Sequence, residues 1–260
     1  MSWNAKVIIY TKNKSHLMNI TIDLLKSSIS KLGYKWYIDR PNLIGIRTTL
    51  QVPDVFNDLF CLVWIQEIMP SGLSDTQKQD WLNKELFVGK NGVSLSVDGK
   101  FGENSNFALN SYNQSVGKER LKFWTITTDP GSYWLNHPEN PFGTALLKPD
   151  QWVDCWSLGF HKGKPDHPAL VQTGSITVYR DGDKDNTAEE QGKEDTGLFG
   201  INIHRSNATG KTMVIYNWSA GCSVFQVKTD HDQLLSICNL YKAKVNNKFT
   251  YTLLRERELM

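Results

Sequence analysis

The sequence predicts a mainly β fold with flanking helices, an α+β arrangement, and three features carry that expectation. From residue 121 onward many short apolar and aromatic runs alternate with period two and are separated by Gly, Pro, Asn and Asp. Two other segments, one near each end, show the wider spacing of amphipathic helices. The composition is that of an ordinary globular chain of 260 residues, 40% hydrophobic and 22% charged. That supply of apolar surface is enough for a core and makes global disorder a poor reading.

In chain order, residues 6–10 read as a strand and Thr11 to Ser15 as a polar turn. Leu17, Ile20, Leu24, Ile29 and Leu32 recur at helical spacing, which predicts a helix over 17–32 stopped by Gly33. Asn42 to Thr49 and Asp58 to Gln66 read as strands, and Asp75 to Leu86 as a short helix after the break at Pro70-Ser71-Gly72. Residues 88–120 are polar and rich in Gly, Asn and Ser, the pattern of a hairpin with long loops or of a boundary. The chain is accordingly divided into residues 1–115, an N-terminal α/β region without an assigned role, and residues 116–260, the β-rich domain with a C-terminal helix and strand.

Within that second part the expected strands are Leu121 to Thr127, Trp156 to His161, Ala169 to Gln172, Ser175 to Tyr179, Phe199 to His204, Met213 to Trp218 and Ser223 to Gln226. Asp230-His231-Asp232-Gln233 has the form of a capping box. It would open a helix whose apolar stripe is Leu234, Ile237, Cys238, Tyr241 and Val245. Phe249 to Leu254 closes the chain as a strand.

A net charge of +2, from 29 Lys and Arg against 27 Asp and Glu, gives no case for a nucleic-acid partner. The apolar run Val7 to Tyr10 is too short for a signal peptide or a membrane span. The protein is therefore expected to be cytoplasmic as made and not membrane-inserted. Delivery to the periplasm or cell wall, or association with a virion, would bring it to an external substrate. Oligomeric state stays open.

Of the 4 cysteines, none forms a C-x-x-C pair, so neither a zinc knuckle nor a dithiol motif is expected. Cys61 and Cys238 lie in apolar surroundings and read as core residues; Cys155 is open. No His, Cys and Asp cluster has the spacing of a catalytic zinc centre. Asp181-Gly182-Asp183-Lys184-Asp185-Asn186 alternates carboxylates as calcium loops do, but it lacks the glycine at the sixth position and has Gly192 at the twelfth. It reads as a polar turn, and neither metal nor cofactor is expected.

Cys222 differs from the other thiols. It follows Ser219-Ala220-Gly221, where the glycine permits a tight turn ahead of the sulfur, and it lies eighteen residues after His204, which ends the strand-like run Gly200 to His204. A thiol nucleophile needs a base, a group that orients the base, and amides aimed at the developing oxyanion. These two segments, Ile203-His204-Arg205 and Trp218-Ser219-Ala220-Gly221-Cys222, resemble the signature of the L,D-transpeptidase (YkuD-like) family. The wider pattern, Thr127 to Gly131 and Asp195 to His204, is similar to uncharacterised proteins of bacteriophages and gut bacteria.

The resemblance implies a β-rich catalytic domain over 116–260, acting on peptidoglycan stem peptides through a thioacyl-enzyme. It implies Cys222 as nucleophile, His204 as base, a base-orienting contact at or beside Arg205, and oxyanion donors at the Gly221 and Cys222 amides, with Ser219 in the same turn. The pair is expected to rest partly as thiolate and imidazolium. The chain departs from the family in having Arg205 where a small residue is usual, and Ser223-Val224-Phe225-Gln226 where a basic residue is usual. Arg205 or Arg180 would then hold the substrate carboxylate. His161, Trp218 and Asn202 join Arg180 as substrate-binding candidates, whereas His137, His167 and His231 read as loop or helix-start residues.

The leading expectation is a metal-independent cysteine peptidase or transpeptidase (hydrolase or acyltransferase) of the cell wall, serving lysis or entry if phage-borne. The alternatives are a phage structural or tail-associated module with a degenerate site, and an intracellular cysteine amidase or peptidase.

Overall fold

The computed structural model describes residues 5–10, 15–49 and 52–259. Its elements run β1 (Ala5–Tyr10), β2 (Ser15–Ile20), α1 (Ile22–Lys31), β3 (Asn42–Arg47), β4 (Asp58–Ile65), α2 (Asp75–Lys84), α3 (Glu103–Ser115), β5 (Glu119–Thr127), α4 (Ser132–Asn136) and β6 (Thr144–Leu147). They continue through β7 (Gln151–Phe160), β8 (Pro168–Gln172), β9 (Ile176–Asp181), β10 (Lys193–Gly197), β11 (Ile203–Arg205), β12 (Ser223–Phe225), α5 (Lys228–Lys244) and β13 (Phe249–Arg255).

Eight strands close into a barrel in the order β11-β12-β5-β4-β3-β13-β7-β8. The pairs β11–β12 and β13–β3 are parallel and the others antiparallel. The expected α+β class holds in this form. Strands β3 and β4, from the segment 1–115, are hydrogen-bonded into the same barrel as β5 and β13. Outside it, β6, β9 and β10 form a second sheet, and β1 and β2 pair antiparallel.

Closure requires that one face of every strand fill the interior, and period-two patterning supplies the residues. Phe60, Trp124, Trp156, Ile203, Phe225, Tyr251 and Leu253 point inward. Tyr251 stacks on Phe60 at 5.6 Å and meets Trp156 edge-on at 5.4 Å. Its hydroxyl lies so close to β3 that a Cβ at Gly45 would sit 2.0 Å from it, so only glycine fits there. Helix α5 lays Leu234, Ile237 and Cys238 against this core. On the outer face, α1 packs Leu25 and Ile29 over Ile44, Ile46 and Cys61.

Several expectations are corrected. The helix expected over 17–32 is strand β2 followed by α1. Thr21 Oγ1 accepts from Leu24 N at 3.0 Å and caps the helix there, after the strand has ended at Ile20. In the turn expected at 11–15, residues 11–14 lie outside the described residues and Ser15 belongs to β2. The polar stretch 88–120 contains α3, which buries only the narrow stripe Ser105, Ala108, Tyr112 and Ser115. Met213 to Trp218 is no strand: Met213 is 68% exposed, Ile215 alone is fully buried, and Tyr216 takes a φ of +46°. Only the last two residues of Phe199 to His204, with Arg205 added, pair as β11. Helix α5 begins before the supposed capping box, with Val227 as N-cap and no side-chain cap; Gln233 instead accepts from Trp124 Nε1.

Candidate functional site

The parallel register of β11 and β12 aligns Ile203 with Ser223 and His204 with Val224. Side chains alternate along each strand, so Ile203 and Ser223 enter the barrel while His204 and Val224 face out. Two residues back on the same outer face stand Asn202 and Cys222. The backbone there is still coupled, since Ser223 N donates to Asn202 O at 3.0 Å and Asn202 N donates to Cys222 Sγ at 3.3 Å. Strand geometry thus sets Cys222, His204 and Asn202 on one face, from segments about twenty residues apart; the Cys222 thiol itself points to Gly200 O at 3.6 Å, and no hydrogen bond joins it to His204 Nε2.

The turn before the thiol is tightly fixed. Gly221 has a φ of +115°, and a Cβ on it would fall 2.1 Å from Ala145 O. Ser219 Oγ accepts from Gly221 N at 3.2 Å and donates to Cys222 O at 3.0 Å. The Gly221 amide, expected to face the oxyanion, is therefore spent inside the turn.

His204 Nδ1 bonds Arg205 O at 2.7 Å; a carbonyl only accepts, so the proton sits on Nδ1 and Nε2 carries the lone pair. That Nε2 is buried without a partner. His167 Nε2 donates to the same carbonyl at 3.1 Å. The group that orients the His204 ring is thus the Arg205 carbonyl, while the Arg205 guanidinium donates to Asp166 O at 2.7 Å. Arg180 is likewise committed, to Asp195 at 2.8 Å and across the Phe199 ring. The Trp218 side chain stands at the surface, and its backbone N–H donates to Ile215 O at 2.9 Å.

His161 lies face to face with His204, ring centroids 4.0 Å apart, and His167 completes the cluster at 4.9 Å from His161 and 5.3 Å from His204. His161 is among the residues expected to bind substrate; His167, expected as a loop residue, carries no local signal that would place it here. His231, expected at a helix start, is buried with Nε2 3.4 Å from Ile203 O.

A strap covers the thiol. Ile215 packs on Cys222, Val224 and Phe56. Asp54 holds it: its carboxylate accepts from Ser132 N at 3.0 Å, from Ser132 Oγ, and from Tyr216 N at 2.6 Å, and its carbonyl accepts from Ile215 N at 3.3 Å. Cys222 is 7% exposed and His204 1%.

This enclosure overturns the expected resting ion pair. Burial pushes the Cys222 thiol up to about 11, against the opposing effects of Asn202 N–H and Lys162. Burial, then His161, pushes His204 well below the usual imidazole range. Both groups rest neutral, as desolvation of charge demands.

Among the described residues, the side chains grouped to hold a cation are Asp181, Asp183 and Glu189, their oxygens within 4.8 Å of one another. Burial and the neighbouring Asp181 lift Glu189 to about 7. The segment follows turn chemistry, with Asp183 accepting from Asp185 N at 3.2 Å and Asp185 from Thr187 N at 2.8 Å. No family model matches the chain, and no match is found among curated proteins or solved structures. Among the described residues, no helix is long and apolar enough to cross a membrane.

Proposed function

We propose that the protein is a cysteine acyl-transfer enzyme, with Cys222 as nucleophile and His204 as base. The observation that carries this reading is the His204 ring itself. Its Nδ1–H is anchored on Arg205 O, and its Nε2 lone pair is buried and unpaired on the face that also bears Cys222. A buried unpaired lone pair is costly, and a base awaiting a proton accounts for it.

The reaction runs from the neutral pair. As an acyl group arrives, the Cys222 proton moves to His204 Nε2 and the sulfur attacks the carbonyl carbon. The C–S bond forms and the carbonyl π pair moves to oxygen. When it returns, the C–N bond breaks and the amine leaves with the proton from His204. Water or a second amine then attacks the thioester, gives its proton to His204, and releases the thiol, which is reprotonated from the imidazolium. Concerted proton transfer suits a site too buried to hold two charges.

The substrate class, stem peptides of peptidoglycan, rests on the resemblance of Ile203-His204-Arg205 and Ser219-Ala220-Gly221-Cys222 to L,D-transpeptidases. Incubation with purified sacculi and mass analysis of the muropeptides tests it. New cleaved or cross-linked species that vanish in Cys222→Ala are expected, and unaltered muropeptides would reject this substrate. A second reading, a structural module that keeps the fold without turnover, is favoured by Ile215 sealing the thiol; it predicts unaltered sacculi and no acylation by any activated ester.

A further inference from the structure

With Gly221 N–H bonded to Ser219 Oγ, the acyl oxygen lacks one of the two backbone donors expected for it. We propose that His161 is a further catalytic residue, its Nε2–H donating to the acyl oxygen as negative charge develops there. The proposal rests on the reading of Cys222 as nucleophile.

A chain of hydrogen bonds sets the tautomer. Gln172 N, a donor, bonds Asn202 Oδ1 at 2.9 Å, which fixes which way the Asn202 amide faces. Its Nδ2 is then the atom 3.0 Å from His161 Nδ1. An amide NH2 only donates, so Nδ1 accepts and the His161 proton sits on Nε2. The opposite edge of the ring, at Nε2, makes no protein hydrogen bond and is not sealed from solvent.

Asn202 also ties this ring to the reacting atom, because its own backbone N–H lies 3.3 Å from Cys222 Sγ. The stack on His204, with an interplanar angle of 24°, holds the ring in place. The two imidazoles therefore divide the work. His204 presents a lone pair and moves the proton; His161 presents an N–H and keeps its proton. Burial, with His167 and Lys162 nearby, holds His161 down to about 4, so at neutral pH it is an uncharged donor. A neutral donor held by Asn202 on one edge and by the His204 ring on one face needs little reorganisation as negative charge develops beside it.

Two reactions of the same thiol separate this role from a structural one. Displacement of iodide from iodoacetamide passes through no oxyanion, whereas acyl transfer from p-nitrophenyl acetate passes through a tetrahedral one. Both reagents must pass the same strap, so the ratio of the two rates at one mildly alkaline pH cancels access. In the full-length protein, His161→Phe keeps a ring against His204 and removes the donor. Acylation of Cys222 should fall about 100- to 1000-fold while alkylation stays near the wild-type rate. His161→Gln, whose amide nitrogen stands near the Nε2 position, should recover part of the loss. A parallel fall in both reactions or an unchanged ratio would overturn the proposal. Failure of the nucleophile reading looks different: the wild type would be alkylated but never acylated, or acylation would persist in Cys222→Ala.

Discussion

Asp54→Gly should unlatch the strap over Cys222 and expose the thiol. Asp54 has a φ of +67°, which glycine adopts without strain, so the substitution removes the carboxylate and leaves the backbone free to keep its path. Three hydrogen bonds to that carboxylate disappear, from Ser132 N, Ser132 Oγ and Tyr216 N. Bonds to a charged acceptor are worth about 1.5–3 kcal/mol each, but these share two oxygens on a partly exposed group, so about 2–4 kcal/mol is lost in all. At a factor of ten per 1.4 kcal/mol, the open population should rise about 30- to 1000-fold. Iodoacetamide labelling of Cys222, read by peptide mass spectrometry, measures it, and hydrogen exchange at Ile215 and Tyr216 should quicken in parallel. A labelling rate equal to that of the wild type would refute the argument that this latch controls access.

Gly221→Ala should destabilise the protein by about 2–5 kcal/mol, from an unfavourable positive φ and from a Cβ forced against the Ala145 carbonyl; an unchanged urea midpoint would show the contact to be soft. Asp129 lies against Arg47, 3.4 Å from Nε, and burial, then Asp58, lifts its carboxyl to about 8. A raised carboxyl favours the folded state fully below the ordinary carboxylate range near pH 4, and that contribution is lost as pH rises through about 8. Asp129→Asn should therefore gain stability relative to the wild type between about pH 5 and about pH 9, whereas a difference independent of pH would contradict the assignment.

The barrel strands were legible where both patterning and flanking breaks were strong. After Asp58, the strand to Ile65 is a continuous apolar run, and Phe249 to Leu254 interleaves apolar residues with two threonines; both are buried on both faces, by the core inside and by neighbouring segments outside. Helix α3 was not legible: its Asn and Ser content is poor in helix formers, and its support comes from Tyr112 reaching Met69 N and packing on Trp81 and Phe87. Strand β10, Lys193–Gly197, carries no apolar signal and exists through pairing with β9. Around the candidate site, the turn at Gly221 and the short strand at His204 could be read because both are local features. The latch could not, since Asp54 and Tyr216 are 162 residues apart in sequence. The expected thiolate failed for the same reason, because the burial that forbids it is supplied by Ile215 on a segment that looked like an ordinary strand.

The central claim is that Cys222 takes an acyl group with His204 as its base. Its most direct test is the mass of the adduct formed on mixing the full-length protein with p-nitrophenyl acetate at neutral pH. The wild type should gain one acetyl group, located at Cys222 by peptide mapping, and Cys222→Ala should gain none. His204→Ala should acylate about 100- to 10,000-fold more slowly, the usual worth of general-base assistance. Acylation at another residue in the wild type, or an equal rate at Cys222 in His204→Ala, would contradict the account.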